Sequence, residues 1–66
     1  MKVRYDPEAD ILYILIKDGK VKDTEEVDDD IFIEFGENGE IMGIEIWQAG
    51  KHIVSEILKV VEIAKR

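Results

Sequence analysis

Two alternating apolar runs, Ile31–Phe35 and Ile41–Trp47, flank Asn38-Gly39. Asn-Gly in that setting is the strongest short-range hairpin signal, because a type I′ turn needs positive φ at both central residues. With Asn38-Gly39 as a two-residue loop, Glu37 pairs with Glu40, Phe35 with Met42, Ile33 with Ile44 and Ile31 with Ile46. Side chains alternate along a strand, so these last six apolar residues share one face. Phe32, Glu34, Ile41, Gly43, Glu45 and Trp47 occupy the other.

The opening segment extends the sheet. Val3 and Tyr5 share a face on one side of a turn, Asp6 to Asp10, in which Pro7 fixes φ and the aspartates can bond their own backbone. Leu12, Ile14 and Ile16 continue that face. Ile11, Tyr13 and Leu15 lie opposite, a strand apolar on both sides that suits a central position or one meeting a partner chain. Asp18-Gly19 is a second turn candidate. Val21 to Val27 is a charged strand suited to a sheet edge, where charge discourages edge-to-edge pairing. Asp28-Asp29-Asp30 turns the chain into the hairpin.

After Ala49-Gly50 the period lengthens. Ile53, Ile57, Val60 and Ala64 recur at helical spacing beside Val54, Leu58 and Val61, with Glu56, Lys59, Glu62 and Lys65 on the polar side. Gly50 can serve as N-cap, and Lys65 and Arg66 suit the negative end of the helix dipole. The predicted fold is α+β, one domain over 1–66. An antiparallel sheet of four to five strands (1–48) precedes one C-terminal amphipathic helix (50–66) packed across one sheet face.

A chain of 66 residues buries only about 60% of its unfolded surface and is marginal unless supplemented. Without cysteine there is no disulfide or thiolate site, and one histidine makes no imidazole cluster. Association is the supplement that remains. The 45% hydrophobic share lies outside the disordered range despite 38% charge. No segment reads as a signal peptide or membrane span, so no membrane partner and a cytoplasmic location are expected. The net charge of −7 opposes nucleic-acid binding and favours solubility or a basic protein partner. Abundant Ile, Glu and Lys with few amides resembles hyperthermophile composition.

Each chemically suggestive group has a simpler structural explanation. Asp28-Asp29-Asp30 with Glu25-Glu26 lacks the spaced oxygens and mid-loop glycine of a calcium loop and reads as a solvated turn. Asp6, Glu8 and Asp10 could bind a cation, but Asp6 and Asp10 more simply cap turn amides. Glu34 and Glu45 form a diagonal carboxylate pair with no convergent nucleophile or base. A two-layer domain of this size offers little volume for a pocket. His52 reads as a surface residue, and Ser55 as a helix residue with no catalytic partners. Gly36, Gly39 and Gly43 are spread through a hairpin and do not form a phosphate loop. No catalytic, cofactor-binding or metal residue is assigned. Trp47 either plugs the strand–helix junction or anchors an interface.

Tyr5-Asp6-Pro7-Glu8-Ala9-Asp10-Ile11-Leu12-Tyr13-Ile14, the middle stretch Thr24–Asp29 and Gly39-Glu40-Ile41-Met42-Gly43-Ile44-Glu45-Ile46 together resemble a family of short prokaryotic proteins known only as a domain of unknown function. The likeness covers roughly residues 1–50. It implies small stand-alone bacterial or archaeal proteins without an established enzymatic activity, some placed by gene neighbourhood as the antidote in toxin–antitoxin pairs. It carries over no catalytic residue. Trp47-Gln48-Ala49-Gly50 stands where a smaller apolar residue, Asp, Ala and Ser are more usual.

With one face under the helix, the other would offer Tyr13, Leu15, Phe32, Ile41 and Trp47 to water, and a patch of that breadth marks an interaction surface. The expectation is a non-enzymatic, acidic, self-associating or protein-binding module, most simply a homodimer and antitoxin-like. The alternatives are a carboxylate-based metal-binding module or small enzyme, and a purely structural homo-oligomer. No cofactor is expected.

Overall fold

The computed structural model describes residues 1–64; Lys65 and Arg66, expected to close the helix, lie outside them. Its elements are β1 (Lys2–Asp6), β2 (Ile11–Leu15), β3 (Asp23–Asp28), β4 (Ile31–Phe35), β5 (Ile41–Trp47) and α1 (Ala49–Ala64). The strands form one antiparallel sheet in the order β1-β2-β5-β4-β3. The doubly apolar β2 is internal and the charged β3 is an edge, as its composition predicts. Asp18-Gly19 does not join neighbouring strands. The segment from Ile16 to Lys22 carries the chain to the far edge, and Val21 precedes β3.

The β4–β5 hairpin closes differently from the predicted two-residue turn. Gly36 N–H donates to the Glu40 carbonyl at 2.8 Å, and Gly39 N–H to the Gly36 carbonyl at 3.1 Å. Gly39 alone in the loop has positive φ, 78°. This is the three-residue loop that needs a left-handed residue only at its last position. Phe35 therefore faces Ile41 and not Met42. The pairing then shifts back, so that Glu34 faces Gly43, Ile33 faces Ile44 and Ile31 faces Ile46. Met42 is the extra residue of a bulge. Its carbonyl accepts the N–H groups of Ile16 and Lys17 at 2.9 and 3.1 Å, and its side chain is buried. Loop and bulge displace the register in opposite senses, so the predicted pairing holds away from the turn.

The register defines two faces. Val3, Tyr5, Leu12, Ile14, Ile44, Ile46, Ile31, Ile33 and Phe35 are joined by cross-strand partnerships on the first. Ile11, Tyr13, Leu15, Glu45, Trp47, Phe32 and Glu34 occupy the second. Ile41, expected on the second, stands opposite Phe35 beside the first.

The helix leaves the sheet instead of crossing it. A single residue, Gln48, separates β5 from α1, and every residue from Ile53 to Ala64 is exposed. The long dimension is 46 Å, close to a 16-residue helix of about 24 Å and a seven-residue strand of about 23 Å set end to end. The radius of gyration, 14.2 Å, exceeds the roughly 11 Å of a compact chain of this length. Predicted packing of the helix over one face is thus confined to its first turn. Among the described residues only Met42 and Ala49 are buried apolar side chains, and no large side chain is fully buried.

Candidate functional site

The helix exit is fixed by residues from three strand ends. Asp10, in the β1–β2 turn, has φ 55°, a left-handed conformation that aspartate tolerates better than most residues. Its carbonyl accepts the Ala49 N–H at 3.0 Å, and its carboxylate accepts the Gly50 N–H at 3.0 Å and the Tyr5 hydroxyl at 2.7 Å. The Gln48 carbonyl takes the N–H groups of Lys51 and His52. All four opening donors of α1 are thereby satisfied. The predicted Gly50 cap is replaced by a carboxylate 40 residues upstream, because the β1–β2 turn and the end of β5 meet at one end of the sheet. Asp6, by contrast, caps its own turn through Glu8 N–H and Ala9 N–H. The Asp10 carboxylate also holds the Tyr5 phenol above its ordinary pKa, chiefly through their hydrogen bond.

Asp30 secures the other side of the junction. It lies in the β3–β4 turn with φ 63°, and its carbonyl accepts the Trp47 N–H at 2.8 Å. Its carboxylate stands 3.2 Å from His52 Nε2. Asp30 is therefore not merely part of a solvated turn, and His52 is not a free surface residue: both are partly buried at the helix base. Ser55 lies near His52 on the helix, but no hydrogen bond joins the two among the described residues.

Beyond this base, Ile31 and Ile46 of the first face meet Ile53, Ile57, Val60 and Val61 of α1 across an open groove of about 570 Å³, with His52, Ser55 and Glu56 on its lip. The sequence suggests no such volume, since it rests on a helix that stands away from the sheet. The groove makes one continuous apolar surface of the helical stripe and the first face.

The second face is chemically different. Tyr13 and Leu15 are half-buried there, Phe32 packs on Trp47 with ring centroids 5.1 Å apart, and Trp47 is itself exposed. Glu34 and Glu45, the diagonal carboxylate pair, each have a donor beside them. The Tyr13 hydroxyl donates to Glu34 at 2.5 Å, and Trp47 Nε1 donates to Glu45 at 2.5 Å. Gly43 permits this arrangement, because a Cβ there would lie 2.6 Å from Glu34 Oε1 and 2.7 Å from the Tyr13 hydroxyl. The bond to Glu34, then burial and the nearby carboxylates, push the Tyr13 phenol up to about 12, against a smaller lowering by Arg4. Four of the five sequence-selected interface residues, Tyr13, Leu15, Phe32 and Trp47, are thus gathered on one face, and Ile41 is not.

Among the described residues, no three of His, Asp and Glu come close enough to hold a metal ion. No helix among them is long and apolar enough to cross a membrane.

Fold and surfaces together define a small α+β protein, an open five-stranded sheet continued by one exposed amphipathic helix. The chain belongs to a family of proteins of unknown function (DUF2283), whose model matches residues 2–49. That range takes in all five strands and Asp10, and it ends as the helix begins. An uncharacterized protein of Methanocaldococcus jannaschii is 45% identical over 51 residues, 77% of this chain. The chain spans 43% of that relative's length. No solved structure matches the chain.

Proposed function

We propose that the protein is a non-enzymatic binding module whose working form is an assembly of copies, a homodimer in the simplest case. One observation carries this: the apolar face of β2, β5 and β4, half-buried and not covered by the helix, lies beside an exposed aliphatic helix stripe, while no large side chain among the described residues is fully buried. Exposed apolar surface of that extent is the mark of an interface. Light scattering on a gel-filtration column should give twice the 7.6 kDa chain mass. A folded monomer at tens of micromolar would overturn the proposal.

The second face favours an additional partner. Tyr13, Phe32 and Trp47 beside Glu34 and Glu45 combine aromatic anchors with negative charge, the complement of a basic protein surface. An antitoxin-like role, masking a basic toxin, is a specific form of this second reading. Its test is co-purification from the native host of a basic protein that is lost when Trp47 is changed to Ala. Retention of that protein by the variant would remove the second face from the account.

A further inference from the structure

We infer that two copies exchange helices, α1 of each protomer lying along the apolar sheet face of the other, about a two-fold axis near Ile31, Ile46 and Ile53. This rests on the reading of the protein as a self-associating module and specifies how it associates.

The first support is area. The chain exposes 5253 Å², whereas a folded monomer of 7.6 kDa exposes about 4,300 Å². The excess, roughly 950 Å², is close to the roughly 800 Å² that each partner buries in a standard interface. The surplus is what one dimer contact removes.

The second is the clamp. Only Gln48 links β5 to α1, and the first helical turn is tied to Asp10 on one flank and Asp30 on the other. Folding the helix back over its own sheet would break those bonds and leave its opening N–H groups without partners. The helix is held pointing outward, so the face it fits belongs to another molecule. Left uncovered, the helix has little to hold it, since short helices draw most of their stability from packing an apolar face.

The third is shape and closure. The groove shows that the stripe of Ile53, Ile57 and Val60 and the sheet face of Ile31 and Ile46 look to the same side. The helix and β5, the longest strand, have nearly equal length, about 24 and 23 Å. A two-fold rotation therefore lays each stripe on the other sheet and closes the assembly at two. The sheet edges compete poorly. β3 presents Asp23, Glu25, Glu26 and Asp28 and is bulged, and β1 carries Lys2 and Arg4, all features that discourage strand addition.

The test exploits the absence of cysteine. A Glu56→Cys variant carrying a nitroxide, at the lip of the groove, is mixed with an isotope-labelled wild-type chain. Methyl signals of Ile14, Ile33 and Ile44 in the wild-type chain should broaden most. Strongest broadening at helix methyls would indicate helix–helix pairing, and at Leu15 an interface through the second face; either overturns the exchange while leaving self-association intact. No broadening with a monomeric mass overturns both. Val60→Glu provides a second measurement. Val60 is 65% exposed in the single chain, so the monomer should still fold while dimer affinity falls at least tenfold. Unchanged affinity, or growth beyond a dimer, also sinks the exchange.

Discussion

The two faces of the sheet use the same strands to different ends. On the first, Leu12, Ile14, Ile44, Ile46, Ile31 and Ile33 of β2, β5 and β4 pair only with one another across those three strands, with carboxylates entering only from the β3 edge. On the second, the same three strands bring two carboxylates among aromatic rings, and each carboxylate has a donor beside it. A polar group satisfied on its own face tolerates water and a partner alike, whereas an aliphatic face gains only by being covered. On the proposed function, the first face gains stability from an occupant and the second is furnished to choose one.

The sharpest way to break this contrast is at the centre of the first face. Ile44 lies between Ile14 and Ile33. Its truncation in Ile44→Ala should cost about 2–4 kcal/mol if the face is covered in solution. A surface substitution away from special features costs no more than about 0.5 kcal/mol. Denaturant unfolding at fixed protein concentration decides between them. A loss below 0.5 kcal/mol would mean that the face is bare and the contrast between the two faces carries no energetic weight.

Next in size is the clamp that directs the helix. Asp10→Ala removes the carboxylate from the Gly50 N–H and the Tyr5 hydroxyl and should cost about 1–2 kcal/mol, the upper part of the range for helix N-caps. Far-ultraviolet circular dichroism should show helix content falling before strand content as denaturant rises. Simultaneous loss would mean that the clamp does not define a separately fraying unit.

How much of this was legible in the sequence depends on the range of the forces involved. The five strands, the edge character of β3 and the internal place of β2 follow from alternation and charge, which act along the chain. The hairpin register also survives, although two local irregularities offset each other at Gly39 and Met42. The path of the helix was not legible. An amphipathic stripe says that something must be covered, and intramolecular packing is the ordinary inference. What redirects it is a contact between Asp10 and Gly50, far apart in sequence, together with a left-handed Gln48. The role of Asp30 at His52 is hidden for the same reason. On the second face, alternation gathers Tyr13, Phe32 and Trp47, but the bonds that satisfy Glu34 and Glu45 depend on neighbouring strands, and the strand order is not written in the pattern.

A smaller effect tests whether the second face is built around its glycine. In Gly43→Ala the new methyl meets the ends of Glu34 and Tyr13. These are side-chain tips that can move, so the expected cost is about 1 kcal/mol, at the lower end of overpacking effects. The Tyr13–Glu34 bond should be lost, and the Tyr13 phenol should titrate closer to its ordinary value by tyrosinate absorbance. An unshifted titration would show that the bond does not depend on the open space at Gly43.

The last effect, of similar size, is the most specific to that face. Tyr13 keeps its proton up to about 12 in the folded chain, against an ordinary value of 10.0. Between those values the unfolded chain has released the proton while the folded chain still holds it. The unfolded state then binds fewer protons, so stability falls as pH rises through this window, and the contribution is complete below pH 10. Tyr13→Phe should lose about 1 kcal/mol at neutral pH, the net worth of a hydrogen bond, and the gap from wild type should narrow as pH climbs from 10 towards 12. The other titrating groups, Tyr5 among them, are common to both proteins, so the difference isolates the Tyr13–Glu34 pair. A gap that stays constant across the window would mean that Glu34 does not hold the phenolic proton, and the second face would then be aromatic without being acid-tuned.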